Sequence, residues 1–192
     1  MLVAAILTVG AWQYGGLGYS ILPTAALAWL FLIFRDPKRD IPATPLGVVS
    51  PVDGVVIDVG LTDKSVLNGE AQKIIIRVNS LGTYTARCPV EGKIMDFHGD
   101  PQRDQAGIAS SGLWVQTDEG DDVVLQFHGH RLGLAPLAFL RYGERVGQGQ
   151  RCAYLRLTRF AEVQVPINVR IQVAAGQRVL AGRGLLAKLP HH

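Results

Sequence analysis

From position 48 onward the chain is a succession of short apolar runs cut by turn residues. Runs at 48–49, 55–59, 73–78, 93–97, 113–117, 123–127, 154–157, 161–165 and 169–173 are rich in Val, Ile and Leu and too brief for helices. They predict strands. Asn68-Gly69, Asp118-Glu-Gly-Asp121 and Ala174-Ala-Gly176 separate them as turns. The run at 132–140 is the best helix candidate, shortened or kinked by Pro136. A mainly β domain with one small helical piece is expected.

Two echoes organise these runs. Ser50-Pro-Val-Asp-Gly-Val-Val-Ile-Asp-Val-Gly60 recurs as Cys88-Pro-Val-Glu-Gly-Lys-Ile-Met-Asp-Phe-His-Gly99. Gly143-Glu-Arg-Val-Gly-Gln-Gly149 recurs as Gly176-Gln-Arg-Val-Leu-Ala-Gly182. Pro-Val-acid-Gly sets a tight turn before a strand, because proline presets φ and glycine takes conformations that other residues avoid. Gly-x-x-Val-x-x-Gly reads as a turn, one buried valine and a second turn. The doubled pattern predicts a barrel-sandwich-hybrid-like domain of two related halves.

Positions 1–34 carry no charged side chain. Two apolar stretches, 2–12 and 21–34, flank a polar, glycine-rich patch at 13–20. A span needs about 20 apolar residues, so three arrangements compete: a single helix from about position 14 to 34, a longer tilted helix, or a re-entrant hairpin. The segment lacks a basic start and a small-residue cleavage site, so it is read as a permanent anchor rather than a leader. Arg35, Lys38 and Arg39 follow it and place the β domain on the cytoplasmic side of a bacterial inner membrane. Positions 35–47, with Pro37, Pro42 and Pro45, form an extended linker, and the β domain covers 48–192. The net charge of +3 suits an anionic bilayer but equally fits an ordinary soluble domain, and no nucleic-acid partner is expected. Cys88 and Cys152 form no CxxC pair and are expected to be reduced thiols.

Pro-x-Asp-Gly with Gly-x-x-Val-x-x-Gly also marks biotinyl and lipoyl carriers. Those carry a lysine between Met or Ala neighbours at a hairpin tip, and no such tripeptide occurs here. Phe34-Arg-Asp-Pro-Lys-Arg39 with Pro42, then Val49-Ser-Pro-Val-Asp-Gly54 and Gly82-Thr-Tyr-Thr-Ala-Arg-Cys-Pro-Val-Glu-Gly92, resemble the short bacterial and archaeal phosphatidylserine decarboxylases in order and spacing. The resemblance implies a proenzyme that cuts itself at a Gly-Ser bond. The serine then becomes a pyruvoyl group, helped by an Asp–His pair.

The chain departs from that pattern where the chemistry lies. Aligned on Gly149 and Pro166, Thr158 falls on the glycine position and Arg159 on the serine position. The last serine in the chain is Ser111. Tyr84 stands for the family histidine, and a phenol with an ordinary pKa of about 10 is a poor base. Asp53 is retained, although in its turn it also serves the local backbone. Arg87 occupies a position for headgroup contact. His128 and His130 share one face of a predicted strand, but without a third ligand they suggest no metal. No weight rests on His191-His192.

The expectation is therefore a membrane-anchored pseudoenzyme without a pyruvoyl group. It would keep company with lipids and with other subunits of a membrane protein complex. An active phospholipid decarboxylase is the alternative. A periplasmic adaptor shares the glycine–valine pattern but not the long coiled-coil insertion or the charge placement.

Overall fold

The two echoes become the two halves of one β unit. In a computed structural model, residues 6, 9–10, 21–32, 34, 36, 39–41, 44–63, 69–79, 81–96, 111–129, 136–138 and 140–190 are described. The strands are β1 Gly47–Val49, β2 Gly54–Thr62, β3 Ala71–Val78, β4 Thr85–Arg87, β5 Gly92–Asp96, β6 Ser111–Gln116 and β7 Asp122–His128. There follow β8 Leu137–Ala138, β9 Arg145–Val146, β10 Arg151–Tyr154, β11 Phe160–Pro166, β12 Arg170–Ile171, β13 Arg178–Val179 and β14 Leu185–Lys188. They build one eight-stranded sheet, β13-β2-β3-β11-β7-β6-β5-β9, and two three-stranded ones, β1-β14-β12 and β4-β10-β8. The large sheet keeps free ends, so there is no closed barrel.

Read inward from either end, the large sheet repeats itself. Gly54 pairs with Val179 and Val55 with Arg178, while Gly92 pairs with Val146 and Lys93 with Arg145. Both hairpins slip register at the same place, between Val56 and Asp58 and between Ile94 and Asp96. The small sheets match too, Val48 opposite Ala187 and Ala86 opposite Ala153. One half is the continuous stretch β4 to β10. The other is β1 to β3 completed by β11 to β14.

Local chemistry explains the matched turns. A Cβ on Gly54 would lie 2.2 Å from the Arg77 carbonyl oxygen, and one on Gly92 would lie 2.1 Å from that of Gln116. Only glycine lets the strands close at these two points. The halves also bond to each other at the echo itself: Val49 N–H donates to Pro89 O at 2.8 Å and Arg87 N–H to Pro51 O at 2.9 Å. Val146 and Val179 are buried, as the glycine–valine pattern requires. The core draws on both halves, with Val48, Val56 and Ile76 facing Ile94, Leu113 and Val115 in one cluster.

Residues 1–36 form a separate unit from 37–192. Of its described residues, 6, 9–10, 21–32 and 34 are helical. No helix among the described residues is long and apolar enough to cross a membrane. The 13–20 patch, on which the choice between a single span and a re-entrant hairpin turns, lies outside the described residues. Two readings are corrected. Leu137–Ala138, inside the expected helix, is a strand, with 130–135 and 139 outside the described residues. The expected strand at 154–157 ends at Tyr154 because the chain turns there.

Candidate functional site

One corner of the β unit collects the positions singled out by resemblance. Asp53, in the turn before β2, is 5% exposed. Its Oδ1 accepts the Ala181 N–H at 2.8 Å, and its Oδ2 accepts the Thr83 N–H at 3.1 Å and Arg39 Nη2 at 2.8 Å. Its carbonyl accepts the Asn79 N–H at 2.8 Å. Gly82 permits this closeness, since a Cβ there would fall 2.7 Å from the Asp53 Cβ. Asp53 therefore pins the linker, the segment after β3 and the second glycine loop to one turn.

Tyr84 comes next in the corner. Its ring lies against that of Tyr154, centroids 5.6 Å apart and planes inclined by 36°, and its carbonyl accepts the Leu155 N–H at 2.9 Å. Leu155 opens the turn that stands at the family's cleavage position. Arg156 and Leu157 both have positive φ, 47° and 54°. Two consecutive left-handed non-glycine residues cost roughly 1–2 kcal/mol each. The Thr158 N–H closes the turn on Leu155 O at 3.1 Å. Thr158 is buried, and its hydroxyl donates to the same carbonyl. Arg159 is exposed, with its guanidinium 5.8 Å from the Phe160 ring centre. Its carbonyl accepts the Val78 N–H at 2.9 Å, one residue from the Asn79 bond to Asp53. Asp53, Tyr84 and Arg159 are thus gathered by adjoining hydrogen bonds. Arg159 has no hydroxyl from which a pyruvoyl carbonyl could form, and the Thr158 hydroxyl is engaged with Leu155, so these residues do not fit that group.

Arg87 is the residue read as a headgroup candidate. It is buried, donates from Nη1 to Gly149 O at 3.0 Å, and lays its stem against Gly182. It clamps the final glycines of the twin loops. Ile41 of the linker packs on both, since a Cβ at Gly149 would meet it at 2.8 Å and one at Gly182 at 3.7 Å. Gly149 and Gly182 both sit at φ +71°.

The corner has a counterpart in the other half. Leu189 N–H bonds Leu46 O at 2.8 Å, as Leu155 does Tyr84. Glu91 stands where Asp53 stands. There the space is open: a cleft of about 280 Å³ is lined by Leu46, Glu91, Asp118 and Gln148 among others. It contains none of Asp53, Tyr84 and Arg159. On the Asp53 side, Arg39, Gly82 and Thr83 close on the carboxylate.

The remaining candidates lie apart. Cys88 and Cys152 are free and buried, and burial, reinforced by Cys88, pushes the Cys152 thiol well up. His128 Nε2 is 3.4 Å from Glu162 Oε2, and Gln164 Nε2 donates to Glu162 Oε1 at 2.8 Å. Burial raises the Glu162 carboxyl, but His128, Gln164 and Lys73 together outweigh it and hold the group below its ordinary range. Among the described residues no three His, Cys, Asp or Glu gather around a metal position, and His130 lies outside them.

A depressed carboxylate stabilises the fold above its unfolded pKa, about 4.3, and that contribution is lost as pH falls through the folded value. Glu162→Gln is therefore expected to cost about 1–2 kcal/mol near neutral pH and progressively less on acidification. Urea denaturation of both proteins across that range checks this. A difference that grows toward acid would reverse the assignment.

Arg39 was not singled out by sequence reasoning, which placed it only in a basic flank. Its partner lies 14 residues away, and nothing local signals the pair.

The whole-chain comparisons bear on this corner. The chain is 30% identical over 195 residues to the phosphatidylserine decarboxylase proenzyme of Burkholderia ambifaria (strain MC40-6), covering 97% of this chain and 91% of that protein. It is 29% identical over the same shares to the phosphatidylserine decarboxylase proenzyme of Burkholderia vietnamiensis. No protein-family model matches the chain. Among solved structures, glucose permease IIA from Mycoplasma capricolum superposes with a TM-score of 0.50 at 16% identity, covering 74% of this chain and 94% of that one. That likeness is one of fold. Because the sequence match runs through both halves and across the corner they build, the chain belongs to the family of phosphatidylserine decarboxylase proenzymes.

Proposed function

We propose that this chain is a non-catalytic member of its family, held at the cytoplasmic face of a bacterial inner membrane as an accessory subunit of a membrane protein complex. The observation that carries this reading is the turn at 155–158. Arg159 occupies the position of the self-cleaving serine, and the neighbouring Thr158 hydroxyl donates to Leu155 O. The supporting details agree. Tyr84 replaces the base and stacks on Tyr154, while Asp53 is spent on two backbone amides and Arg39. Membrane placement is supported by the uncharged first 34 positions and the cations that follow them.

The competing reading, an active phospholipid decarboxylase, draws on the 30% identity over 97% of the chain. It would require a prosthetic group made from Thr158 or Cys152. Extraction in mild detergent followed by sizing and a decarboxylation assay separates the two. The expected result is a stoichiometric assembly with no conversion of phosphatidylserine. A lone, active monomer would overturn both parts, and a lone, inactive one would remove the partner only.

A further inference from the structure

The twofold relation between the halves gives each surface position an internal control. In β10 the register against β4 slips by one residue at Cys152, and in β14 the register against β1 slips at Leu186. A strand without that slip would turn Arg151 and Tyr154, three residues apart, to opposite faces. With it, both are exposed around the buried pair Cys152 and Ala153. Tyr154 stands opposite Leu137 of β8 and stacks on Tyr84. Leu137 is 51% exposed, Tyr154 41%, and Leu157 in the following turn 40%.

In the other half the equivalents of Leu137 and Tyr154 are Arg170 and Lys188, which pair in the same register. The same small sheet is built there with two cations, so the fold itself does not call for Leu and Tyr. Single exposed apolar residues are ordinary, but an exposed apolar row, Leu137 paired with Tyr154, that its own counterpart lacks points to a use outside the fold.

The charge around the row indicates that use. Between positions 123 and 161 the chain has six arginines, and Glu144 is the only acidic residue. Arg151 and Arg159 are exposed on the segment that carries Tyr154 and Leu157. Tyrosine and leucine set among arginines match an anionic lipid surface: the rings sit at headgroup depth and the guanidiniums on phosphates.

We propose that the Leu137–Tyr154–Leu157 face of the β unit docks on an anionic lipid surface, with Arg151 and Arg159 on the headgroup phosphates. The proposal rests on the membrane placement above and adds to it a contact made by the β unit itself.

The full chain carrying an environment-sensitive fluorophore at Leu157→Cys tests it, since Cys88 and Cys152 are buried. Ile167→Cys, also at an exposed position, is the reference. Flotation and emission are read with vesicles of phosphatidylcholine alone and of phosphatidylcholine with phosphatidylglycerol. The expected result is a blue shift at 157 and not at 167, on the mixed vesicles. The docked-to-undocked ratio should fall about fivefold for each of Arg151→Ser and Arg159→Ser. Leu137→Arg with Tyr154→Lys, which imports the residues of the other half, should still float and lose the shift. Flotation with position 157 as wet as 167 would overturn the docking and leave the anchorage standing. No flotation even on mixed vesicles would overturn both. A shift of equal size on phosphatidylcholine alone would overturn the assignment to an anionic surface.

Discussion

The triple variant Tyr84→His, Thr158→Gly, Arg159→Ser is expected to divide itself between positions 158 and 159, whereas Arg159→Ser alone should stay intact. The serine would supply a nucleophile at the family's position, but a hydroxyl at neutral pH needs a neighbouring base. In this corner Tyr84 occupies that place, and Asp53 already accepts from Arg39, Thr83 and Ala181. Thr158→Gly removes the side chain that donates to Leu155 O and restores glycine beside the scissile bond. Fragments of 158 and 34 residues (192 − 158 = 34) would appear on denaturing gels, the smaller one beginning with a hydrazine-reactive carbonyl. Cleavage of the Arg159→Ser protein alone would mean that the corner holds a base which this reading does not recognise.

Asp53→Ala should be among the most destabilising single substitutions in the β unit, at about 3–5 kcal/mol. It strands two backbone amides and an arginine in a buried turn, and each buried donor left without a partner costs roughly 1–3 kcal/mol. Glu91→Ala, at the equivalent but exposed position beside the open cleft, should cost within about 0.5 kcal/mol. Urea unfolding of the two variants makes the comparison direct. A loss below about 1 kcal/mol in Asp53→Ala would contradict a structural role for the carboxylate. Processing chemistry would then be the better explanation for its presence.

The echoes made the halves legible because each combines a proline, an acid and a glycine whose backbone demands are specific. The valine of each glycine loop could be placed in the core for the same reason. What escaped notice was mostly short. β8, β9, β12 and β13 have two residues each, too few for an alternation to show. Tyr154-Leu-Arg-Leu157 reads as strand because nothing in its composition announces two left-handed residues; the conformation is imposed by the closing bonds to Leu155 O. The candidate corner was legible through Asp53, Tyr84 and Arg159 once the resemblance was recognised. The burial of Arg87 was not, because its partners Gly149 and Gly182 lie far along the chain and mark only turns in the sequence. Arg39 escaped for a similar reason: its charge reads as a membrane flank, and its geometry is an ion pair.

The intact mass of the purified full chain tests the central claim most directly. A single species of about 20.8 kDa that does not react with hydrazine is the expected result. Two fragments from a break near 157–159, one of them bearing a reactive carbonyl, would contradict it.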